Sequence, residues 1–177
     1  MFPLVLPFDG RTPVIASSAF IAPSAVVIGN VEIGADTGIW YGCVLRGDVN
    51  ELRIGERVNI QDGTVLHVAT HGPGCYIGND VSVGHMALLH ACTLEDGAFV
   101  GMKACVMDGA VVEGGGMVAA GALVTPGKRI RSGELWAGSP AKMMRELTDD
   151  DRRNMTWTAE HYIDLAREHR MEVEKVK

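Results

Sequence analysis

Aromatic residues are scarce: Phe, Trp and Tyr together make up 6% of the 177 residues. A broad core built on large rings is therefore excluded. A basic run is also missing. Lys plus Arg number 16 against 22 Asp plus Glu, for a formal net charge of −6, which argues against a general nucleic-acid binder because nothing clusters to neutralise phosphates. Apolar runs such as Ala25 to Ile28 fall far short of the roughly 20 residues needed to span a bilayer, so no membrane partner is expected. The stretch from Met1 to Leu6 lacks the basic start and long apolar segment of a signal peptide, and a cytoplasmic location is the expectation. No Cys-x-x-Cys occurs among Cys43, Cys75, Cys92 and Cys105. That spacing gives no disulfide framework, and reduced thiols filling small sites are expected. What is plentiful is glycine, with 22 residues, and a hydrophobic share of 47%. A chain that turns often around a narrow interior accounts for both.

The organisation is a repeat of period six. Large aliphatics fall at Ile21, Val27, Ile33, Ile39 and Leu45, at Ile54, Ile60 and Leu66, and at Ile77, Val83 and Leu89. A last run is Leu94, Val100, Val106, Val112, Val118, Val124 and Ile130. Four residues after each comes a small or β-branched residue, among them Ala25, Thr37, Cys43, Val49, Thr64, Ala87, Thr93 and Ala104. Ordinary strands alternate with period two and turn after about five or six residues. A pattern locked to six instead fits one short strand and one turn per hexad, the aliphatic pointing inward. Three hexads close a triangular coil of about 18 residues, and coils stack at the strand spacing of about 4.8 Å. An all-β sandwich shows alternation without a fixed hexad.

The period breaks at three places: three extra residues near Asn50 to Arg53, five within Ala69 to Tyr76, and one missing between Leu89 and Leu94. The second break is rich in Gly and Pro and reads as a protruding loop. The solenoid is expected over residues 1–140, with a short N-terminal extension. Residues 141–177 are expected to carry a helix that packs on it as part of the same domain. Thr148 followed by Asp149, Asp150 and Asp151 is a cap with acidic residues on the positive end of the dipole. Met155, Ala159, Tyr162 and Ala166 form one apolar stripe, giving a helix from about 149 to 173.

Counting hexads places the histidines. Leu45, Leu66 and Leu89 open hexads three apart, so the residues after them, Arg46, His67 and His90, form a column on one face of adjacent coils. Two imidazoles one coil apart can share a metal. His85 belongs to a different face, together with Gln61 and Asp62. A threefold trimer packs one face against a different face of its neighbour and so completes a three-histidine site at each interface. Zinc is the default for three imidazoles with an open position, iron and cobalt being the alternatives.

The segments Arg46-Gly-Asp48, Asn59-Ile-Gln61-Asp62-Gly63, His67 and Gly84-His85-x4-His90-x-Cys92-Thr93, with Gly138-Ser139-Pro140-Ala141-Lys142 before the helix, resemble the γ-class carbonic anhydrase family of the hexapeptide-repeat superfamily. The resemblance implies a left-handed parallel β-helix, an exception to right-handed crossovers. It also implies a homotrimer with one metal per subunit interface, held by His67 and His90 of one subunit and His85 of the next. The activity it implies is reversible hydration of carbon dioxide to bicarbonate by a zinc-type hydroxide. Gln61 resembles the residue that orients the hydroxide, supported by Asn59. Arg46 and Asp48 resemble an interfacial ion pair, with a structural or a substrate role, and Asp62 has the same two readings. Tyr162 either leans over the site or anchors the helix. The acidic loop of the family's prototype is replaced by Thr70-His71-Gly72-Pro73-Gly74, with no carboxylate. Imidazole as a group titrates near neutrality, which makes His71 the candidate proton relay. A hexapeptide-repeat acyltransferase and a metal-bound assembly module without turnover are the competing readings, since fold alone does not choose between activities.

Overall fold

The computed structural model describes residues 2–175. The chain winds into a parallel β-helix of about seven turns with a C-terminal helix. Short strands stack in register from coil to coil. Val44 pairs with Val65, Val65 with Leu88, Leu88 with Cys105 and Cys105 with Leu123. One face is an eight-stranded sheet; the other two merge into a single twelve-stranded sheet. They merge because Val26–Ile33 and Val44–Ile54 run unbroken round a corner.

The interior is what the hexads demand. Val27, Leu45, Leu66, Leu89, Val106 and Val124 are fully buried, as are Ile39, Ile60, Val83, Val100 and Val118. Removing one such side chain, for instance Leu89→Ala, costs about 2–5 kcal/mol because a stacked coil cannot collapse into the gap. The small positions fill the corners: Ala25, Thr37, Cys43, Thr64, Ala87 and Ala104 are all buried. Burial pushes the Cys43 thiol up to about 12, and all four cysteines are free. Two corners hold hydroxyls. Thr37 Oγ1 donates to the Gly55 carbonyl (2.8 Å) and accepts from the Val58 amide (3.1 Å), so its burial leaves nothing unpaired. Glycine is required where coils touch. A Cβ on Gly84 would lie 2.6 Å from the Met102 amide, and one on Gly101 2.4 Å from the Ala120 amide.

Two of the expected corner residues are not in corners. Val49 is 44% exposed, and Leu52, opposite Val31, takes the buried place. The three inserted residues lie within Asp48 to Glu51, two places earlier than the spacing suggests, because the register shifts between Gly29 and Val31. Likewise Cys92, not Thr93, fills its corner, since the deleted residue precedes it.

After Glu134–Gly138 the chain reverses and Ala141–Glu146 pairs antiparallel with it. This strand stands where the sequence suggested only the approach to the helix. Trp136, opposite Val118 in the last coil, packs against the end of the core. The helix is Asp149–Lys175. Its start is a reciprocal cap: Thr148 Oγ1 accepts from the Asp151 amide (3.2 Å), and Asp151 Oδ2 accepts from the Thr148 amide (2.8 Å). Ala159 and Ala166 are buried against the eight-stranded face, where Phe20, Trp40, Tyr41, Tyr162 and His169 interlock with ring centroids 5.0–6.5 Å apart. Among the described residues no helix is long and apolar enough to cross a membrane.

Candidate metal centre

Arg46, His67 and His90 stand in one column: Arg46 pairs with His67 and His67 with His90 in the strand register. Leu66 and Leu89 beside them point inward, so both imidazoles project outward and are only partly buried. His67 Nδ1 and His90 Nε2 face each other at 3.2 Å. The other ring nitrogens are each held by a carboxylate. His67 Nε2 lies 3.0 Å from Asp48 Oδ1, and His90 Nδ1 lies 2.7 Å from Asp108 Oδ1.

This wiring decides the chemistry. An ionised carboxylate only accepts, so in neutral rings the outer nitrogens are the ones to carry the hydrogens and the facing nitrogens present lone pairs. Two lone pairs at this separation repel unless a cation sits between them. Two nitrogens on one tetrahedral zinc, each at about 2.0–2.1 Å, stand roughly 3.3–3.4 Å apart, and carboxylates behind metal-ligating histidines are the usual support. The donor set therefore fits a divalent metal. It is incomplete within one chain: among the described residues no group of three His, Cys, Asp or Glu side chains converges to hold a metal ion. The carboxylates sit behind the rings, so only two donors point at the centre.

Asp48 is also bound by the Arg46 guanidinium, so the Arg46–Asp48 pair closes within a single chain and its carboxylate serves His67. Partial burial pushes the Asp48 carboxyl up, but hydrogen bonds from Arg46 and then His67, with the Arg46 charge, outweigh it and hold the group below the usual carboxylate range.

His85 lies elsewhere. It follows the strand Ser82–Val83 of the helix-covered face and emerges at the corner, with Nδ1 2.9 Å from Asp62 Oδ2 and its side chain 40% exposed. Nε2 is thereby left to point away from its own carboxylate. Met86 and Met102, both more than half exposed, flank it. Gln61 and Asn59 are buried beneath the helix. Gln61 Nε2 donates to Asn59 Oδ1 (3.0 Å) and Asn59 Nδ2 to Ser82 Oγ (2.8 Å), which fixes the Gln61 amide with its oxygen turned away from Asn59. Tyr162 packs edge-on against Trp40 at 5.3 Å. Its hydroxyl pKa is raised by burial first and by the charge of Asp62 second. His71 is exposed in the loop, whose backbone is pinned by Asn50 Nδ2 to the carbonyls of Ala69 (3.1 Å) and Gly72 (3.0 Å).

Asp108 escapes a reading by hexads, which register columns rather than side chains that reach across a corner. Its one available signal was a carboxylate one coil beyond His90.

No family model matches the chain. It is 52% identical over 173 residues to the mitochondrial gamma carbonic anhydrase 2 of Arabidopsis thaliana, an alignment that takes in 95% of this chain. The chain spans 62% of the length of that relative. It is 42% identical to a carbonic anhydrase of Geobacillus kaustophilus, with 91% of this chain and 88% of that protein covered. Among solved structures, a hexapeptide transferase family protein from Anaplasma phagocytophilum superposes with a TM-score of 0.89 at 50% identity, covering 93% of this chain and 96% of that one. A putative acetyltransferase from Bacillus cereus superposes with a TM-score of 0.93 at 38% identity, covering 96% and 98%.

Proposed function

The chain belongs to the γ-class carbonic anhydrase family, and we propose that it hydrates carbon dioxide to bicarbonate at a metal shared between the subunits of a homotrimer. The observation that carries this reading is the pair of imidazole nitrogens at 3.2 Å, each backed by a carboxylate. His67 and His90 supply two ligands. His85 of a neighbouring copy supplies the third, its Nδ1 kept occupied by Asp62. Zinc is the metal expected for three imidazoles.

The surface supports assembly. Val26, Val44, Val65, Leu88, Cys105 and Leu123 form an outward column on the histidine face, running from coil to coil. The corner around His85 presents Met86 and Met102. Apolar surface thus borders both halves of the site, as expected where one face packs on a different part of its neighbour.

A divalent cation with three neutral imidazoles and an open position supplies a hydroxide nucleophile from water near neutral pH. This chain's residues do the rest. Asp48 and Asp62 hold the rings of His67 and His85 in fixed tautomers. Asn59 fixes the Gln61 amide, whose oxygen accepts a hydrogen bond from the nucleophile and orients its remaining lone pair at the carbon. Formation of the carbon–oxygen bond yields bicarbonate, and the proton of the attacking water must leave. The loop from Thr70 to Gly74 offers no carboxylate for this, so His71 or dissolved buffer carries it.

The test combines two defective chains. His67→Ala and His85→Ala proteins each lose every complete site; refolded together, mixed trimers regain some interfaces with all three ligands. Partial return of metal and of carbon dioxide hydration is the expected result. No return in mixed trimers identified by mass spectrometry overturns the shared site. The names of the two structural relatives favour a second reading, acyl transfer from coenzyme A. Saturable binding of acetyl-coenzyme A by metal-free protein, with no hydration by the metal-loaded form, would select it.

A further inference from the structure

His90 is held by a residue outside both the histidine column and the Asp48 insert. The coil after His90 is one residue short: Leu89 pairs with Val106, 17 residues on, so Met107 rather than Asp108 falls opposite His90. Asp108 stands one place further, at the corner beside Ala91. Its backbone is clamped there, because the Gly109 amide donates to the Ala91 carbonyl (2.7 Å) and the Gly127 amide to the Asp108 carbonyl (2.9 Å). From that fixed point Oδ1 reaches Nδ1 of His90 at 2.7 Å.

We propose that Asp108 is a positioning residue for the metal centre: by accepting the Nδ1 hydrogen it holds His90 in the one tautomer whose Nε2 lone pair faces His67. The inference rests on the metal-centre reading given above. Asp108 takes no part in the core. Its side chain is 41% exposed and that of His90 28%, so as an ion pair it adds little to folding. Its geometry is of use only if the direction of Nε2 matters. Supporting carboxylates of this kind are worth about 10–100-fold in metal affinity. The same wiring recurs at His67 with Asp48 and at His85 with Asp62, which gives each proposed ligand its own carboxylate. Asp108 is the member of this set that comes from outside the motifs.

The experiment uses the full chain with Asp108→Ala, Asp108→Asn and His90→Ala. Zinc affinity is measured by competition with a chromophoric chelator, and the His90 tautomer by long-range nitrogen–proton NMR correlations in metal-free protein. In the wild type, His90 should carry its hydrogen on Nδ1. Asp108→Ala should lose that preference and bind zinc about 10–100-fold more weakly, with an unchanged thermal midpoint when metal-free. Asp108→Asn, whose amide oxygen still accepts from Nδ1, should keep the tautomer and recover part of the affinity. Wild-type affinity in Asp108→Ala, or a loss without a change of tautomer, overturns the assignment. His90→Ala separates the two levels. If it abolishes zinc binding while Asp108→Ala binds zinc as tightly as the wild type, only the role of Asp108 falls. If it too leaves affinity intact, the metal-centre reading falls with it.

Discussion

The histidine face and the helix-covered face enclose the same core with the same inward aliphatics, yet their outer surfaces are finished differently. On the helix face the outward polar residues Asn59, Gln61 and Ser82 are buried and bonded to one another beneath Ala159, Tyr162 and Ala166 of the same chain. On the histidine face the outward column stays open, with Val65 at 36% and Leu88 at 38% exposure beside half-buried His67 and His90. The first is covered by its own chain, with the Gln61 amide oxygen turned away from that network. The second has apolar surface without cover and two facing imidazole nitrogens with no third donor among the described residues. The interior repeat is thus indifferent to what each face does, and function is written in the outward positions between the aliphatics.

The most damaging way to test this contrast is to place charge on the open face. Leu88→Asp should leave the coil intact, because its side chain points out of the core. It should abolish assembly, since a buried unpaired carboxylate costs more than an interface of this kind gains. Light scattering should report a monomer, and elemental analysis a chain without metal. A metal-loaded trimer would show that this face is not the interface. Next in size, His67→Ala, His90→Ala and His85→Ala should each remove most of the metal while the trimer persists. Full retention in any one of them would show that residue is not a ligand.

The closed face responds in another currency. Trp40 is buried at the centre of the aromatic cluster, between Phe20, Tyr162 and His169. Trp40→Ala should destabilise the fold by about 3–5 kcal/mol, read as a lower midpoint in denaturant, with metal content per folded subunit unchanged. Loss of metal at full occupancy of the folded state would mean that the helix face and the centre are coupled, through Tyr162 and Asp62.

What was legible in the sequence follows from the same division. Period six set the inward residues, and so it set the stacking of Arg46, His67 and His90 and the separation of His85 onto another face. It failed where the count itself changes: Val49 and Thr93 follow the period on paper, but the insert and the deletion move Leu52 and Cys92 into their corners. It was silent on Asp108, whose carboxylate acts across a turn, and on the strand Ala141–Glu146, which lies outside the repeat and pairs by reversal. The aromatic cluster was also hidden. Coil stacking sets Phe20 beside Trp40, and only the docking of the helix brings Tyr162 and His169 to them. Among the described residues the buried Trp40 Nε1 has no hydrogen-bond partner, and it lies against Gly38 and Ala166.

The smallest expected effect concerns how firmly the helix is started, and it carries a sign in pH. Asp151 is hydrogen-bonded first by Arg145 and then by Thr148, which holds its carboxyl well below the usual range. A carboxylate whose pKa is depressed by folding stabilises the folded state above its unfolded value of about 3.9. That contribution is lost as pH falls through the folded value, because the native state must then take up a proton at a cost. Thr148→Ala removes the hydroxyl side of the cap and should cost about 1 kcal/mol, seen near neutral pH as a slightly lower thermal midpoint. Asp151→Asn should be less stable than the wild type at pH 7, and the gap should close as the pH drops below about 4. The solenoid should be untouched throughout, because the cap lies beyond the last coil. A gap that stays constant down to low pH would mean that Asp151 acts through its shape and not its charge. A gap that widens on acidification would reverse the sign and remove the ion pair with Arg145 from the account of this helix.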